Sequence, residues 1–345
     1  MNQEIVKKIS ERKQRWVEFY KKDGKISRMN FVRFDDGMPL DKRPRMVPEN
    51  KQKRIEWAWE KYQCQLKQAE WLDDDYIPSL DVYTATEIFA EAFGCKVHRS
   101  PDDIPFALSL IQNASEVSKI KIPDIYTPNL KLLFEIADEL RSRAGKDAVF
   151  KLIDIQSPMD ISALIWDKTK FFMAMCDSPE AVKELSSKVK QFLIIFFDEW
   201  SKRYGREFVS HCPDYYIPYG ITLSEDEIGS VNEEMFLEFF LPELTELSNR
   251  YGMIGMHCCA NAKHQWNNLL KIPNLCMLQI VQPYDRIIEA HRFFAGKVPL
   301  MTGLLNGIDW PENVPKDAHF ILEYIADSKE KAVEVANKLR NIQKA

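Results

Sequence analysis

The sequence predicts an α/β protein, most simply a single (β/α)8 barrel of the TIM type with an N-terminal helical extension. Short apolar runs alternate with helical stretches, which implies repeated βαβ units and parallel strands. The 345 residues exceed the usual size of one domain but fit one such barrel. Polar side chains follow the predicted strand ends, where such barrels place their active sites. We therefore expect an N-terminal extension at residues 1–75, packed on a barrel at residues 76–345.

The extension contains one clear helix. Residues 1–50 are charge-rich and are expected to be irregular, with three prolines near their end. Residues 51–72 hold helix formers, and their apolar side chains recur in steps of three and four. This spacing indicates an amphipathic helix.

The barrel elements follow in order along the chain. Strands are predicted at residues 148–154, 207–210, 253–256, 275–280, 299–303 and 320–324. Helices are predicted at residues 161–175, 178–204, 232–251, 262–271, 284–295 and 328–342. The start of the second helix is well supported, because Ser178 can cap it and Pro179 suits a first helical turn.

The composition argues against several classes of protein. A net charge of −5 and a pI near 5.8 disfavour a nucleic-acid surface, which relies on clustered cations. Glycine is scarce, with 12 residues, and neither the dinucleotide-binding nor the P-loop glycine pattern occurs. The seven cysteines follow no framework spacing and are expected to be reduced thiols. The N-terminus lacks an apolar signal region, and the apolar runs are far shorter than the roughly 20 residues of a membrane span. We expect a cytoplasmic protein.

The run His257-Cys258-Cys259 is the most informative stretch of the chain. It ends the predicted strand at residues 253–256, and residues two apart on a strand point to the same side. An imidazole nitrogen and a thiolate sulfur are ligands that Zn²⁺ prefers, so His257 and Cys259 are candidate metal ligands. The alternative is a core histidine beside buried thiols.

A catalytic zinc site needs a third protein ligand. Cys276 begins the next predicted strand and is expected near the opposite face of the barrel, and no cysteine follows it. The third ligand is therefore left open among His211, Cys212, His264 and a carboxylate.

Other polar residues lie at or just after predicted strand ends. They are Asp154, Gln156 and Asp160, then His211 and Asp214, and Gln282. The acidic loop at residues 224–227 precedes the helix predicted at residues 232–251. Each group has a functional interpretation as a substrate contact, general acid or metal ligand. Each also has a structural one: a Pro-Asp turn at residue 214, solvated helix caps at residues 224–227, and a helix start at Ser157-Pro158.

Four segments resemble the uroporphyrinogen decarboxylase superfamily. DIQSPMDISALIW at residues 154–166 is similar to its strand, turn and helix, and CDSPEAVKELSSKVKQFL at residues 176–193 contains its D-x-P-E helix start. LSEDEIGSVNEEMFLEFFLPEL at residues 223–244 is similar to its acidic loop and following helix. GMIGMHCCANAKHQWNNLLKIPNL at residues 252–275 is similar to its H-x-C-G-N strand end. The similarity covers about residues 75–310.

The resemblance implies a (β/α)8 barrel with its pocket at the C-terminal face, and one of two chemistries. One is decarboxylation of uroporphyrinogen without a cofactor. The other is zinc-dependent methyl transfer between a cobalamin, usually carried by a corrinoid protein, and a thiol such as coenzyme M. The second chemistry uses an H-x-C…C zinc site, of which His257 and Cys259 match two ligands.

This sequence departs from both branches. The decarboxylases carry an R-Q-A-G-R-like motif near the N-terminus, and the arginines present here do not form it: they are Arg28, Arg33, Arg43, Arg45 and Arg54. The methyltransferases carry a late cysteine that is absent here. Ala260 also stands where the resembling motif has glycine.

Our leading hypothesis is a zinc-dependent methyltransferase that moves a methyl group between a corrinoid, carried by a partner protein, and a small thiol or similar acceptor. The first alternative is a cofactor-independent uroporphyrinogen decarboxylase, in which an acid such as Asp154 binds pyrrole N–H groups. The second is a non-catalytic corrinoid- or tetrapyrrole-binding protein. The assigned roles are catalysis for Asp154, His211 and Asp226, substrate binding for Gln156, Asp214, Glu227 and Gln282, and metal binding for His257 and Cys259.

Overall fold

The structure is a computed structural model that describes residues 3–21, 23–34, 43–100, 104–211, 213–301 and 314–342. Its strands are β1 (Arg28–Arg33), β2 (Ser79–Asp81), β3 (Lys96–His98), β4 (Phe106–Leu108), β5 (Val149–Lys151), β6 (Phe208–Val209), β7 (Tyr216–Ile217), β8 (Ile221–Ser224), β9 (Ile254–Cys258), β10 (Leu275–Ile280), β11 (Leu300–Met301) and β12 (Phe320–Ile325). Its α-helices are α1 (Gln3–Phe19), α2 (Lys51–Trp71), α3 (Glu87–Ala92), α4 (Pro128–Ala144), α5 (Pro158–Ile165), α6 (Lys168–Asp177), α7 (Pro179–Tyr204), α8 (Glu233–Met235), α9 (Leu241–Tyr251), α10 (Trp266–Leu269), α11 (Tyr284–Phe294) and α12 (Lys329–Ile342). A π-helical turn at Phe236–Phe240 joins α8 to α9.

The strands form two main sheets. The first has the order β1-β12-β11-β10-β9-β8, and all its pairings are parallel. The second has the order β2-β5-β6-β7, in which only β7 runs antiparallel. A parallel bridge between Gln156 and Ser224 links the two sheets. The predicted α/β class with mostly parallel strands is confirmed, whereas the pairings of the described residues do not form a continuous ring of strands.

Several predicted elements are confirmed and others need correction. The helix at residues 51–72, the long helix after Ser178 and the strand at residues 275–280 agree with α2, α7 and β10. The predicted strand at residues 148–154 is wrong in length, because β5 spans only three residues. The predicted helix at residues 161–175 is two helices, since Asp167 caps α6 by accepting the N–H of Lys170. The end of the predicted strand at residues 299–303 lies outside the described residues.

The expectation that residues 1–50 are irregular is wrong. This segment contains α1 and also β1, whose four central residues are buried and which pairs in register with β12. Several of the charged residues that suggested an irregular segment lie along α1 and at the two ends of β1. The boundary between an extension and a barrel at residue 75 stays a prediction, although β1 contributes a strand to the main sheet.

Helix α7 covers the second sheet with a row of aromatic side chains. Phe196, Trp200 and Tyr204 recur every four residues, which places them on one face of the helix. Phe196 contacts Phe89 with ring centroids 5.1 Å apart, and Trp200 contacts Phe150 of β5 at 5.5 Å. This packing fixes β5, which leads directly into the polar residues at its end.

No helix in the described ranges is long and apolar enough to cross a membrane.

Asp75 ties the N- and C-terminal parts of the chain to the sheet. Its carboxylate is buried and accepts hydrogen bonds from Arg15 of α1 and Arg340 of α12, each at 2.8 Å. Its other oxygen accepts the backbone N–H of Asn30 in β1 at 2.8 Å. One side chain therefore holds two helices and a strand together.

We predict that Asp75→Ala lowers the free energy of unfolding by about 3 kcal/mol, because it removes a buried partner of two cations. The matched control is Asp73→Ala. Asp73 also pairs with Arg340, but its side chain is 64% exposed, and we expect a loss below about 1 kcal/mol. Denaturant unfolding of both variants measures the difference, and equal losses would contradict the role of Asp75.

Candidate functional site

Three candidate ligands lie together at the ends of β8 and β9, and β10 lies beside them. Ser224, the last residue of β8, pairs with His257 of β9, and His257 pairs with Gln279 of β10. Asp226 follows β8 by two residues and Cys259 directly follows β9. One ligand atom each from Asp226, His257 and Cys259 lies within 4.8 Å of the others. The carboxylate of Asp226 is thus the third group beside the pair identified in the sequence.

Asp226 binds Cys259 directly. One oxygen of Asp226 accepts the backbone N–H of Cys259 at 2.7 Å, and the other accepts its S–H at 3.1 Å. Partial burial of the sulfur, the hydrogen bond to Asp226 and its negative charge raise the pKa of the Cys259 thiol to about 12. Without a cation, the thiol proton therefore links Cys259 to Asp226. A divalent cation could replace that proton and bind both side chains.

Gln279 orients the imidazole of His257. The Nδ1–H of His257 donates to the Oε1 of Gln279, which is buried in β10. Because Nδ1 is engaged, Nε2 is the nitrogen left for a metal, an arrangement typical of metal-binding histidines. The sequence analysis missed Gln279, although a polar residue in the apolar run of β10 was a visible signal.

Asp160 holds the backbone at Asp226 by hydrogen bonds. Its buried carboxylate accepts the backbone N–H of Asp226 at 2.8 Å and that of Glu227 at 3.0 Å. Burial raises the pKa of Asp160 to about 7. Burial and the neighbouring Asp160 also raise the pKa of Glu225 well above its usual range. Asp160 therefore fixes the backbone from which the Asp226 side chain projects.

The predicted helix start at Ser157-Pro158 is confirmed. Ser157 caps α5 by accepting the N–H of Asp160 at 3.0 Å, and Pro158 occupies the first turn. Gln156, just before this cap, forms the bridge to Ser224 through its backbone. Its role in substrate binding stays a prediction.

Asp154, His211 and Ser224 form a second cluster beside the first. The Nε2 of His211 lies 2.8 Å from Asp154 Oδ1 and 3.0 Å from Ser224 Oγ, and Ser224 donates to Asp154 at 3.0 Å. Burial would raise the pKa of Asp154, but His211 and the hydrogen bond from Ser224 outweigh it, and the pKa is lowered. Asp154 is therefore ionised and holds His211 by its Nε2–H. Two of the predicted catalytic residues are in contact.

Asp214 is engaged by cations. Its carboxylate contacts Lys151 and lies 3.2 Å from Arg33. Burial alone would raise its pKa, but Lys151 and Arg33 lower it to about 2. The carboxylate of Asp214 already has two partners, so its assignment to substrate binding stays a prediction.

The remaining candidates have structural partners. Glu227 pairs with Lys168 at 2.6 Å, and Gln282 donates to the carbonyl of Ala260 at 2.8 Å. His264 is hydrogen-bonded to the carbonyl of Val231 at 2.8 Å, away from the group of Asp226, His257 and Cys259. Cys212, another candidate for the third ligand, lies outside the described residues.

Gly229 allows the loop after β8 to approach the end of β9. A Cβ atom at Gly229 would lie 2.7 Å from the Cβ of Ala260, closer than side chains tolerate. Ala260 occupies the position of the glycine in the H-x-C-G-N motif that this stretch of sequence resembles. The space for its methyl group is provided by Gly229, so the loop that carries Asp226 still reaches Cys259.

The family model of uroporphyrinogen decarboxylase matches residues 80–280, which is more than half of the chain. The chain belongs to the uroporphyrinogen decarboxylase family. The resemblance seen in the sequence is thereby confirmed, in a family whose fold is a TIM barrel. Among solved structures, the chain is similar to a methyltransferase from Methanosarcina mazei, with a TM-score of 0.67 over 97% of this chain and 99% of that chain at 11% identity. At this identity the likeness shows a shared fold and not a shared reaction. No curated protein matches the chain by sequence.

We predict that Gly229→Ala lowers the free energy of unfolding by about 1–3 kcal/mol, because its methyl group would collide with Ala260. Ala260→Gly removes that obstacle, so the double variant should recover most of the loss. A double-mutant cycle by denaturant unfolding measures this coupling. Simple additivity of the two single changes would show that the two residues do not compete for the same space.

Proposed function

We propose that this family member is a zinc-dependent methyltransferase, which moves a methyl group between a corrinoid and a thiol or similar small acceptor. In this proposal Asp226, His257 and Cys259 are the protein ligands of the zinc. The observation that carries the proposal is that Asp226 supplies a third donor beside the pair that the sequence already indicated.

The donor set suits zinc chemically. Carboxylate oxygen, imidazole nitrogen and thiolate sulfur are all common zinc ligands, and three protein ligands leave a fourth position for a substrate. When bound, zinc would coordinate a substrate thiol and lower its pKa, so that a thiolate forms near neutral pH. Asp160 and Gln279 would then act as the outer residues that hold Asp226 and His257 in place.

We assign the Asp154–His211 pair to proton transfer. His211 is held by Asp154 through Nε2, so its Nδ1 is the nitrogen that can accept a proton from a substrate. Gln156, Asp214, Glu227 and Gln282 are proposed to bind or enclose the substrate. All of these residues follow strand ends at the same edge as the proposed ligands.

We further infer that the two sheets close into one (β/α)8 barrel, with the proposed metal centre at the C-terminal ends of its strands. In such a barrel this face is open to a docking partner. A corrinoid protein is the partner that the proposed reaction requires, since it would carry the methyl group to or from the thiol.

The two alternatives have less support. A decarboxylase would need a carboxylate free to bind pyrrole N–H groups, whereas Asp154 already accepts hydrogen bonds from His211 and Ser224. A non-catalytic binding protein would not need the support that Asp160 gives to Asp226. Binding of a porphyrinogen by metal-free protein would favour the decarboxylase, and cobalamin binding without turnover would favour the non-catalytic protein.

We expect purified protein to contain about one zinc per chain, and Cys259→Ser and Asp226→Asn to lose most of it, because each removes one of three ligands. Cys176→Ser, at an exposed cysteine on α6, is the matched control and should retain the metal. Elemental analysis after gel filtration measures the content. Protein that contains no zinc after expression with added zinc would overturn the proposed metal centre.

We expect zinc-loaded protein to demethylate methylcobalamin in the presence of an excess of 2-mercaptoethanol, and Cys259→Ser to lose at least 100-fold in rate, because a thiol is a weak nucleophile until it is deprotonated. The change in the cobalamin absorption spectrum measures the reaction, and Cys176→Ser is again the control. Zinc-loaded protein without turnover of either methylcobalamin or a methylated corrinoid protein would argue against methyl transfer while leaving the metal centre intact.

A further inference from the structure

A cleft of about 400 Å³ lies beside the Asp154–His211–Ser224 cluster. Lys151 ends β5, His211 follows β6 by two residues, and Glu87 begins α3 after β2, so the cleft opens at the ends of these strands. Ser224 connects it with the proposed metal centre, because Ser224 binds His211 and pairs with His257. The charged and titratable residues that line the cleft are Arg43, Arg45, Glu87, Arg99, Lys151 and His211.

His211 presents one ring nitrogen that no described residue binds. The residue is 4% exposed, and Nε2 is engaged by Asp154 and Ser224. Nδ1 is buried without a hydrogen-bond partner among the described residues. In the neutral imidazole with its Nε2–H bound to Asp154, Nδ1 carries the lone pair and is an acceptor. A buried acceptor of this kind costs about 1–3 kcal/mol unless something binds it.

Glu87 presents a second such atom in the same cleft. The residue is 8% exposed, and its Oε2 is buried without a hydrogen-bond partner in the part of the chain that the structure describes. Burial, with smaller contributions from Glu91 and Asp154, raises the pKa of Glu87 to about 7. Near neutral pH a fraction of Glu87 is therefore protonated and can donate a hydrogen bond. Glu87 and His211 both line the cleft.

The ion pairs that include Arg43 and Lys151 and their neighbours contain more cations than carboxylates. Asp81, Asp214 and Glu323 are the carboxylates, and together they pair with five cations. These cations are Arg33, Arg43, Arg54, Lys61 and Lys151. Arg43 and Lys151 line the cleft itself. Arg99, at its rim, pairs with Glu91 at 2.7 Å. Such an environment favours an anionic group, which guanidinium and ammonium groups bind well.

We propose that this cleft binds a small hydroxycarboxylate, with its carboxylate against Arg43 and Lys151 and its hydroxyl between Glu87 and His211. A hydroxyl group both donates and accepts hydrogen bonds, so it can donate to Nδ1 of His211 and accept from Glu87. The inference goes beyond the function proposed above, because this ligand is not the thiol acceptor of the methyl group. Binding itself requires neither zinc nor a corrinoid.

The test uses three matched probes that have nearly the same shape. Lactate carries both groups, propionate lacks the hydroxyl, and lactamide lacks the charge. We expect lactate to bind the full-length protein about tenfold more tightly than propionate, because propionate leaves two buried polar atoms unpaired. Lactamide should bind more weakly than lactate. Ligand-observed NMR titration measures all three dissociation constants.

Variants of Glu87 test whether the preference for lactate over propionate arises in the cleft. Glu87→Leu should reduce the preference for lactate over propionate to about threefold, because only the contact with His211 remains, whereas Glu87→Gln should preserve it, since an amide still donates and accepts. Glu139→Gln, on α4, is the control and should change nothing. Equal binding of lactate and propionate by the wild type would overturn the proposal, as would an undiminished preference in Glu87→Leu. Cys259→Ser should bind lactate normally, so a failure of the zinc hypothesis and a failure of this one are distinguishable.

Discussion

The two sheets of the described chain join at the bridge between Gln156 and Ser224, and the candidate site is built around this junction. The backbone N–H of Ser224 donates to the carbonyl of Ile155, and the N–H of Ser157 donates to the carbonyl of Ser224, each at 2.8 Å. The side chain of Ser224 binds Asp154 and His211, and the next residues carry Asp226. Both clusters therefore depend on one short stretch of backbone pairing, and a shift in its register would displace them together.

Burial acts on the acidic residues around this junction in opposite ways, depending on their partners. Asp214 keeps a pKa of about 2 although it is buried, because two cations contact it. Asp160 forms no ion pair among the described residues, and burial raises its pKa to about 7. The site is thus divided into a side at the ends of β5 and β6, where cations pair with the carboxylates, and a side below Asp226, where burial raises the pKa of the acids. The cleft lies on the first side.

The sequence predicted where the candidate site lies better than it predicted which residues form it. His257 and Cys259 could be identified because alternation on a strand puts both on one side, and Asp154 and His211 because they follow strand ends. Asp226 could be recognised as a candidate but not as the group that contacts Cys259, since its approach to Cys259 depends on how two loops pack. Glu87 gave no signal at all: a glutamate at a helix start is ordinary in a sequence, and only its burial beside Asp154 makes it unusual. In the same way, β1 could not be predicted from a charge-rich segment, because its pairing with the distant β12 is what buries its central residues.

Where this chain departs from the sequence patterns of its superfamily, another residue that lies close by in the structure compensates for the change. The late cysteine is absent, and the carboxylate of Asp226 lies within 4.8 Å of the ligand atoms of His257 and Cys259. Ala260 stands in place of a glycine, and Gly229 opposite it provides the missing room. Both compensating residues lie in the loop after β8, whose start is fixed by the buried carboxylate of Asp160. Keeping an acid buried costs free energy, and here its main contacts hold the backbone of Asp226 and Glu227. The close approach at Gly229 and the contacts of Asp160 both hold Asp226 beside Cys259, and in this way they support the proposed metal centre.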